Sequence, residues 1–173
     1  RGLRKVSSKL VGSSELVRRV LTTRVHRFEQ DQILAQPLAA VFPFFADPRN
    51  LEAITPPWLR FRIERAPAAV VEGAEIVYTL RIRGAPVRWL TAIVAWEPPY
   101  RFVDVQVTGP YRLWHHTHTF EEHPRGTLVR DRVFYALPFG PFGELAHRLF
   151  VRRDIERIFA YRSVELARRF GEA

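Results

Sequence analysis

Apolar and polar residues alternate most regularly between residues 109 and 135. On the first part of this stretch, aromatic rings and imidazoles share one face: Trp114, His116, His118 and Phe120. After a turn at residues 123–126, one face of the second part carries Val129, Asp131, Val133 and Tyr135. A period of two predicts paired strands whose apolar face also holds ionisable groups. We interpret this mixture as the inner face of a sheet that curves around a ligand cavity.

The same alternation predicts five further strands, at residues 24–34, 59–64, 74–83, 87–96 and 101–107. Short turns join the later strands, so we expect antiparallel neighbours rather than parallel crossovers. After the first strand, Pro37 begins one short helix, and Asp47 followed by Pro48 begins a second that runs to Ile54. This order of elements predicts an α+β fold with a seven-stranded antiparallel sheet.

A long amphipathic helix is predicted at the C-terminus, over residues 144–170. Its apolar positions recur at helical spacing: Leu145, Leu149, Ile155, Ile158, Phe159 and Leu166. Because only the sheet offers a large enough surface, we expect this stripe to pack against it. Arginine and glutamate pairs at helical spacing predict a solvated outer face, as for Arg153 with Glu156 and Arg162 with Glu165.

The net charge of +9 is concentrated in the first 27 residues, which hold eight basic residues and one acidic residue. The other 146 residues carry 19 basic and 17 acidic residues, so they are nearly neutral. We therefore separate a basic N-terminal arm with helical periodicity, residues 1–23, from a domain at residues 24–173. Three interpretations of the arm stay open: it lies on an anionic membrane surface, it contacts nucleic acid through phosphates, or it packs loosely on its own domain. The domain itself is not predicted to bind nucleic acid, because it is nearly neutral and its strands lack a basic face interleaved with aromatics.

The composition of the chain and the absence of several motifs exclude further classes of protein. The chain has no cysteine and no apolar run near the roughly 20 residues that span a bilayer. We expect a cytoplasmic protein, with peripheral attachment to a membrane through residues 1–27 left open. The sequence lacks phosphate-binding loops, a serine nucleophile elbow, CxxC and HExxH. No cofactor is therefore predicted, and hydride transfer, serine acyl transfer and zinc proteolysis are unsupported.

Four separated segments carry a family resemblance. They are FFADPRNL at residues 44–51, WEPPYRF at residues 96–102, GPY with WHH within residues 109–116, and Gly126-Thr127 with Asp131 and Tyr135. Together they resemble bacterial members of the START-like, or SRPBCC, superfamily, which includes polyketide cyclase/dehydrase-like and coenzyme-Q-binding proteins. The resemblance implies a helix-grip fold, in which the curved sheet wraps around the C-terminal helix and encloses a hydrophobic cavity. It also implies ligands such as lipids, quinones or polyketides, but the superfamily shares no catalytic motif.

Binding of a small hydrophobic ligand, for carriage or sensing, is the function that the residues favour. The aromatic side chains supply far more surface than the polar side chains that could catalyse a reaction. This is typical of a cavity that holds a ligand without transforming it. The candidate ligand-binding residues are Phe42, Phe45, Tyr78, Trp89, Trp114, His116, His118, Tyr135 and Phe159.

The alternative is an enzyme of the polyketide cyclase or dehydratase type that uses the same cavity. Such an enzyme needs a base, a donor for the enolate oxygen and exclusion of water. The candidate catalytic residues are His116, His118, Asp131 and Tyr135, with Asp104 as a further carboxylate. The competing interpretation makes the two carboxylates structural partners of nearby strand arginines, namely Arg101, Arg112, Arg130 or Arg132. The direction in which the two histidines point decides between the hypotheses.

His116 and His118 also have the spacing of two metal ligands on one strand, about 7 Å apart along the backbone. Asp104 or Asp131 would supply a third ligand. A His-x-His pair alone is weak evidence, so no metal is predicted.

Overall fold

The computed structural model describes residues 24–173; the predicted arm, residues 1–23, lies outside the described residues. Seven strands form one antiparallel sheet in the order β1-β7-β6-β5-β4-β3-β2. The strands are β1 (His26–Leu34), β2 (Arg62–Arg65), β3 (Glu75–Ile82), β4 (Ala85–Glu97), β5 (Arg101–Thr108), β6 (Leu113–His123) and β7 (Gly126–Ala136). The predicted seven-stranded antiparallel sheet is confirmed.

Helical segments follow β1 and β7. After β1 come α1 (Leu38–Ala46) and two 3-10 helices (Pro48–Ile54 and Pro57–Leu59). After β7, α2 (Pro141–Ala146), a π turn (His147–Val151) and α3 (Arg152–Phe170) form one continuous long helix. The helix begins three residues before its predicted start, because Pro141 suits a first helical position, where no backbone N–H is needed. The predicted helix-grip fold is thus confirmed.

The segment between α1 and β2 differs in detail from its prediction. The second short helix is a 3-10 helix, and the Asp47 side chain accepts a hydrogen bond from the Arg49 backbone N–H at its start (3.0 Å). The third helical segment, Pro57–Leu59, was not predicted; a strand was expected to begin at residue 59. As a result, β2 begins at Arg62 and not at residue 59.

The sheet bends at irregularities in its pairing. Register shifts interrupt the β4–β5 pairing at Leu90/Thr91 and again between Ile93 and Ala95. Such bulges bend a strand and increase its twist. At the β1 edge of the sheet, α3 is hydrogen-bonded to the strand through Gln32, whose side-chain amide donates to the Ser163 carbonyl oxygen (2.9 Å).

Most of the hydrophobic core lies between α1, the sheet and the end of α3. Phe120 on β6 is fully buried and meets Phe42 of α1 edge-on, with ring centroids 5.3 Å apart. Leu166 of α3 belongs to the same cluster of buried residues. The core therefore closes one end of the space between sheet and helix, and the other end stays open for a site.

The apolar stripe of the C-terminal helix packs on the sheet along α3 only. Ile155, Phe159 and Leu166 are buried, as predicted, but Leu145 and Leu149 are 54% and 62% exposed, so the prediction for these two is wrong. In this part of the helix the buried residues are Gly143 and His147, on a different face. Within residues 24–173, no helix is long and apolar enough to cross a membrane.

Candidate functional site

A cavity of about 510 Å³ lies between the inner face of the sheet and α3. Its volume is within the range of roughly 300–1,000 Å³ that is usual for small-molecule sites. Aliphatic and aromatic side chains form most of its wall, among them Leu59, Ile76, Leu80, Ile93, Ile155 and Ile158. The fold therefore supplies an apolar chamber large enough for a small organic ligand.

Seven of the nine predicted ligand-binding residues line this cavity: Phe45, Tyr78, Trp89, Trp114, His116, His118 and Phe159. The other two lie outside its lining. Phe42 packs in the core against Phe120 and Trp96. The Tyr135 hydroxyl is hydrogen-bonded to His147 Nε2 (2.9 Å), away from the other catalytic candidates.

Strand register brings four ionisable side chains together on the cavity wall. On β6, His116 lies opposite Asp104 of β5, and His118 lies opposite Asp131 of β7. Directly opposed residues in an antiparallel pair have Cβ atoms about 4.5–5.5 Å apart, so their side chains meet. Both histidines point inward and are almost completely buried. We call His116, His118, Asp104 and Asp131 the ionisable cluster.

The cluster is joined by short contacts between imidazole nitrogens and carboxylate oxygens. His118 Nδ1 lies 2.8 Å from Asp131 Oδ1, and His118 Nε2 lies 2.9 Å from Asp104 Oδ2. Both ring nitrogens of an imidazole donate only when the ring is protonated, because ionised carboxylates only accept. His116 Nε2 lies 2.9 Å from Asp131 Oδ1 and adds one more donor to that carboxylate. The geometry thus favours a charged His118 between two carboxylates.

Arg162 of α3 approaches the cluster from the opposite wall of the cavity. Its terminal guanidinium nitrogen Nη2 lies 3.6 Å from Asp131 Oδ1 and 3.4 Å from His118 Nδ1. Its Nε atom is buried and has no hydrogen-bond partner within residues 24–173. The Trp89 indole N–H, which also belongs to a cavity-lining residue, is unpaired there in the same way. Two buried donors on cavity-lining residues therefore lack an acceptor within residues 24–173.

Burial and neighbouring charges shift the pKa values of the four groups. Burial disfavours charge on Asp131, but Arg162 and the hydrogen bonds from both histidines hold the pKa of this carboxyl well below its usual value. The pKa of Asp104 is also lowered, since its histidine neighbours outweigh burial. Burial opposes the His118 imidazolium, yet hydrogen bonds to the two carboxylates raise its pKa. Burial, then the charge on His118, lowers the pKa of His116.

These directions give the cluster and Arg162 a balanced charge. Two carboxylates are matched by the Arg162 guanidinium and the His118 imidazolium, while His116 stays neutral. A balanced set avoids leaving an uncompensated charge in an apolar interior, which is strongly unfavourable. The cluster also places a neutral imidazole beside a protonated one, so a base and an acid face the same cavity.

The cluster also contains donors of the kind that hold a divalent cation. Asp104, His116 and His118 each offer one ligand atom, and these atoms lie within 4.8 Å of one another. The guanidinium of Arg162 next to them opposes a further positive charge. The imidazole nitrogens that would bind a cation already face carboxylates at hydrogen-bonding distance. These contacts fit an internally paired cluster better than a metal site.

The cavity reaches solvent beside the first turn of α3. Arg83, in the turn between β3 and β4, forms an ion pair with Asp154 (Nε to Oδ2, 3.0 Å), and its guanidinium lies 4.4 Å from the centre of the Phe150 ring. All three residues line the cavity, and Arg83 is exposed. On another part of the rim, Arg157 lies over the ring of half-exposed Trp58. The rim therefore consists of contacts between the helix and surface turns.

The structure corrects two expectations about arginines. Arg162 was expected on the solvated face of the helix, but it points into the cavity. The strand arginines expected to pair with Asp104 or Asp131 lie on the outer face or a turn, as Arg130 does when it pairs with Asp31 and Glu121. Arg101 pairs with Glu97, Arg132 pairs with Glu29, and Arg112 is exposed. Alternation along β5 and β7 puts Arg101, Arg130 and Arg132 on the face opposite the cluster, whereas Arg112 lies in the turn before β6.

We predict that His118 makes stability depend on pH. Its folded-state pKa is raised, so its contribution is complete below the unfolded value of about 6.5 and is lost as pH rises through the folded value. The lowered carboxyl pKa values act oppositely: their contribution is present above about pH 4 and is lost as pH falls further. His116, with a lowered pKa, reduces stability as pH falls below about 6.5.

The substitution His118→Gln separates these effects. Chemical denaturation should show a larger loss of unfolding free energy at about pH 5.5 than at about pH 9, because only the acidic condition retains the full imidazolium contribution. His123→Gln, at the last residue of β6 and outside the cluster, is the control and should show no such difference. An equal loss for His118→Gln at both pH values would contradict the charged state assigned to this residue.

The fold and site define a helix-grip protein with an internal, largely apolar cavity and an ionisable cluster on its wall. Comparison with known families is consistent with this class: the profile described as "Polyketide cyclase / dehydrase and lipid transport" matches residues 25–170. The chain belongs to this family. No protein with a curated description matches the sequence significantly.

Solved structures share the fold at low sequence identity. Protein CV1439 from Chromobacterium violaceum is similar over 86% of this chain and 99% of its own, with 13% identity and a TM-score of 0.66. TTHA0849 from Thermus thermophilus is similar over 84% and 99%, with 20% identity and a TM-score of 0.58. The ginseng major latex-like protein 151 from Panax ginseng is similar over 77% and 96%, with 17% identity and a TM-score of 0.53. At such identities the likeness shows the fold alone.

Proposed function

We propose that this protein binds a small hydrophobic molecule in the cavity between sheet and helix and carries or senses it without transforming it. The observation that carries the proposal is the cavity itself, about 510 Å³ and lined mainly by apolar side chains. Burial of a ligand there removes apolar surface from water at roughly 25 cal/mol per Å². The family description, which includes lipid transport, supports the same class of ligand.

The polar groups of the cavity favour a ligand with an oxygen acceptor near one end. The Trp89 N–H and the Arg162 Nε–H are buried donors without partners in the described chain. An unpaired buried donor costs roughly 1–3 kcal/mol, so a carbonyl or similar oxygen that reaches one of them gains affinity. Lipid, quinone and polyketide ligands all carry such oxygens.

The second candidate function is acid-base catalysis on a polyketide-like ligand, as in a cyclase or dehydratase. The arrangement of the histidines favours it: His116 and His118 lie side by side in the cavity wall, with ring centroids 3.7 Å apart, and their pKa values shift in opposite directions. In this hypothesis neutral His116 removes a proton next to a carbonyl, and the His118 imidazolium donates to the developing oxyanion. Against it, the nitrogens of both rings already face carboxylates, which fits a structural network equally well.

Native mass spectrometry of the freshly purified protein, followed by denaturing extraction, tests both proposals. We expect a co-purifying molecule that is apolar and carries at least one oxygen. A wild-type protein that binds neither a co-purified molecule nor an added fatty acid, quinone or aromatic polyketide would refute the binding function.

His116→Gln distinguishes a carrier from an enzyme in the same experiment. If the protein is a carrier, the wild type and the variant hold molecules of equal mass. If it is a dehydratase, the variant retains a substrate one water heavier than the product seen with the wild type. His123→Gln, outside the cavity, is the matched control and should behave as the wild type does.

A further inference from the structure

An exposed apolar patch surrounds the start of the C-terminal helix, outside the cavity. Its four side chains are Phe139, Phe142, Leu145 and Leu149, which are 81%, 80%, 54% and 62% exposed. Phe139 and Phe142 border a shallow groove together with Pro110, Leu137 and Pro138. The other two follow Phe142 along the helix at spacings of three and seven residues, which places them on one side of it. Contiguous exposed apolar surface of this kind usually marks a contact site.

The backbone at Phe139 has an unfavourable conformation, and this feature is independent of the exposure of the patch. Its φ of 69° lies in the left-handed region, which a large side chain adopts only at a conformational cost. Glycine or asparagine would fit this backbone better, and a polar side chain would fit its exposure better. Neither folding nor solubility explains a phenylalanine here, so the ring is better explained by something it contacts.

Charge around the patch indicates what that contact is. Segments 109–112 and 136–153 contain one carboxylate, Glu144, and it faces His26 (3.1 Å). The same segments contain four exposed arginines, Arg112, Arg148, Arg152 and Arg153. Arg152 pairs with Glu156 on the next turn of the helix (2.9 Å), so within residues 24–173 the arginines that border the patch without such a pair are Arg112, Arg148 and Arg153. An apolar tip bordered by arginines is the pattern of a surface that inserts rings below anionic headgroups and pairs with their phosphates.

We propose that this patch docks the protein on an anionic lipid bilayer, with Phe139 and Phe142 inserted at the interface and the arginines on the headgroups. Leu149 directly precedes Phe150, which lines the cavity rim, so docking brings the rim close to the lipid surface. The N-terminal segment 1–23 carries six basic residues and one acidic residue. Its charge repels the patch and is attracted to the same anionic surface, so it is a weaker candidate to cover the patch.

Sedimentation of the full chain with vesicles of equimolar phosphatidylcholine and phosphatidylglycerol tests the proposal. The double substitution Phe139→Ser with Phe142→Ser should weaken vesicle binding by about tenfold or more, since two inserted rings are lost. The control removes two exposed apolar side chains elsewhere, by Val71→Ser with Tyr100→Ser, and should leave binding unchanged. Vesicles of phosphatidylcholine alone should bind the wild type much more weakly.

A label reports the contact directly. Because the chain has no cysteine, Leu145→Cys gives a unique attachment point for an environment-sensitive fluorophore. Its emission should shift to the blue on anionic vesicles, whereas a label at Val71→Cys should not respond. Equal vesicle binding by the wild type and the double serine variant would overturn the proposal and leave the N-terminal segment as the membrane contact. A wild type that is dimeric in light scattering, with a monomeric double variant, would also overturn it in favour of a contact between copies.

Discussion

We expect the substitution Asp131→Asn to lower the free energy of unfolding by about 3–5 kcal/mol at neutral pH. Asp131 accepts from His116 and His118 and faces Arg162, all inside the cavity wall. Asparagine has nearly the same shape but no charge, so the guanidinium and the His118 imidazolium lose their shared counter-charge. Breaking one side of a buried charge network leaves an uncompensated charge, which is why the expected loss is large.

Urea denaturation of the variant and of a matched control measures this loss. Asp31→Asn removes a carboxylate from the neighbouring strand β1, where it pairs with Arg130 at the exposed outer face (3.1 Å). Exposed pairs contribute about 0–1 kcal/mol, so the control should change little. A loss below about 1 kcal/mol for Asp131→Asn would show that the cluster is not held together by ionised groups.

A double-mutant cycle locates the coupling within the network. Arg162→Met retains much of the length of the side chain and removes its charge, so it should be nearly as destabilising alone. Combined with Asp131→Asn, its effect should be clearly less than additive, because the two charges compensate each other across the cavity. Strictly additive effects would mean that the 3.6 Å approach of Arg162 to Asp131 contributes nothing to stability.

Part of the site could have been deduced from the sequence. The alternation of strands β6 and β7 predicted that His116, His118 and Asp131 share the inner face, and the burial of all three agrees. The turn at residues 123–126 also fixes which residues are opposed, because two-residue hairpin loops set the register of their strands. Counting back from the observed pair His123 and Gly126 places His118 opposite Asp131.

For Arg162, the spacing along the helix indicated the inner face, but its charge indicated the outer face. The residue stands among the buried helix positions Ile155, Phe159 and Leu166, at the three- and four-residue spacing of the inner stripe. Its charge and the nearby Glu165 favoured a solvated position instead. A long arginine side chain reaches past the apolar stripe to carboxylates across the cavity, a tertiary contact that local charge patterning does not contain.

Other features were beyond local sequence patterns. Asp104 meets His116 only because of the β5–β6 register, and the connection between these strands is too irregular to fix it from sequence. The rim contact between Arg83 and Asp154 joins residues 71 positions apart. The volume of the cavity depends on how far α3 stands from the bent sheet, which follows from bulges and packing of the whole domain.

We expect Ile158→Trp to reduce the amount of bound ligand by about a hundredfold, since it places an indole where the ligand would lie. Ile158 lines the cavity four residues after Asp154 and four before Arg162, so it lies about 6 Å along the helix from each. An indole at this position divides the chamber between its rim and its ionisable cluster. A ligand that spans the two ends then loses either its apolar contacts or its polar ones.

Val164→Trp is the matched control, because it introduces the same side chain on the exposed face of the same helix. Native mass spectrometry should show ligand retained by this control and lost by Ile158→Trp, while circular dichroism shows both variants folded. The indole occupies space that is empty in the wild type. The free energy of unfolding should therefore fall by no more than the roughly 1–3 kcal/mol that overpacking costs. Full ligand retention by a folded Ile158→Trp variant would place the binding site elsewhere and refute the carrier and enzyme hypotheses together, because both require the same chamber.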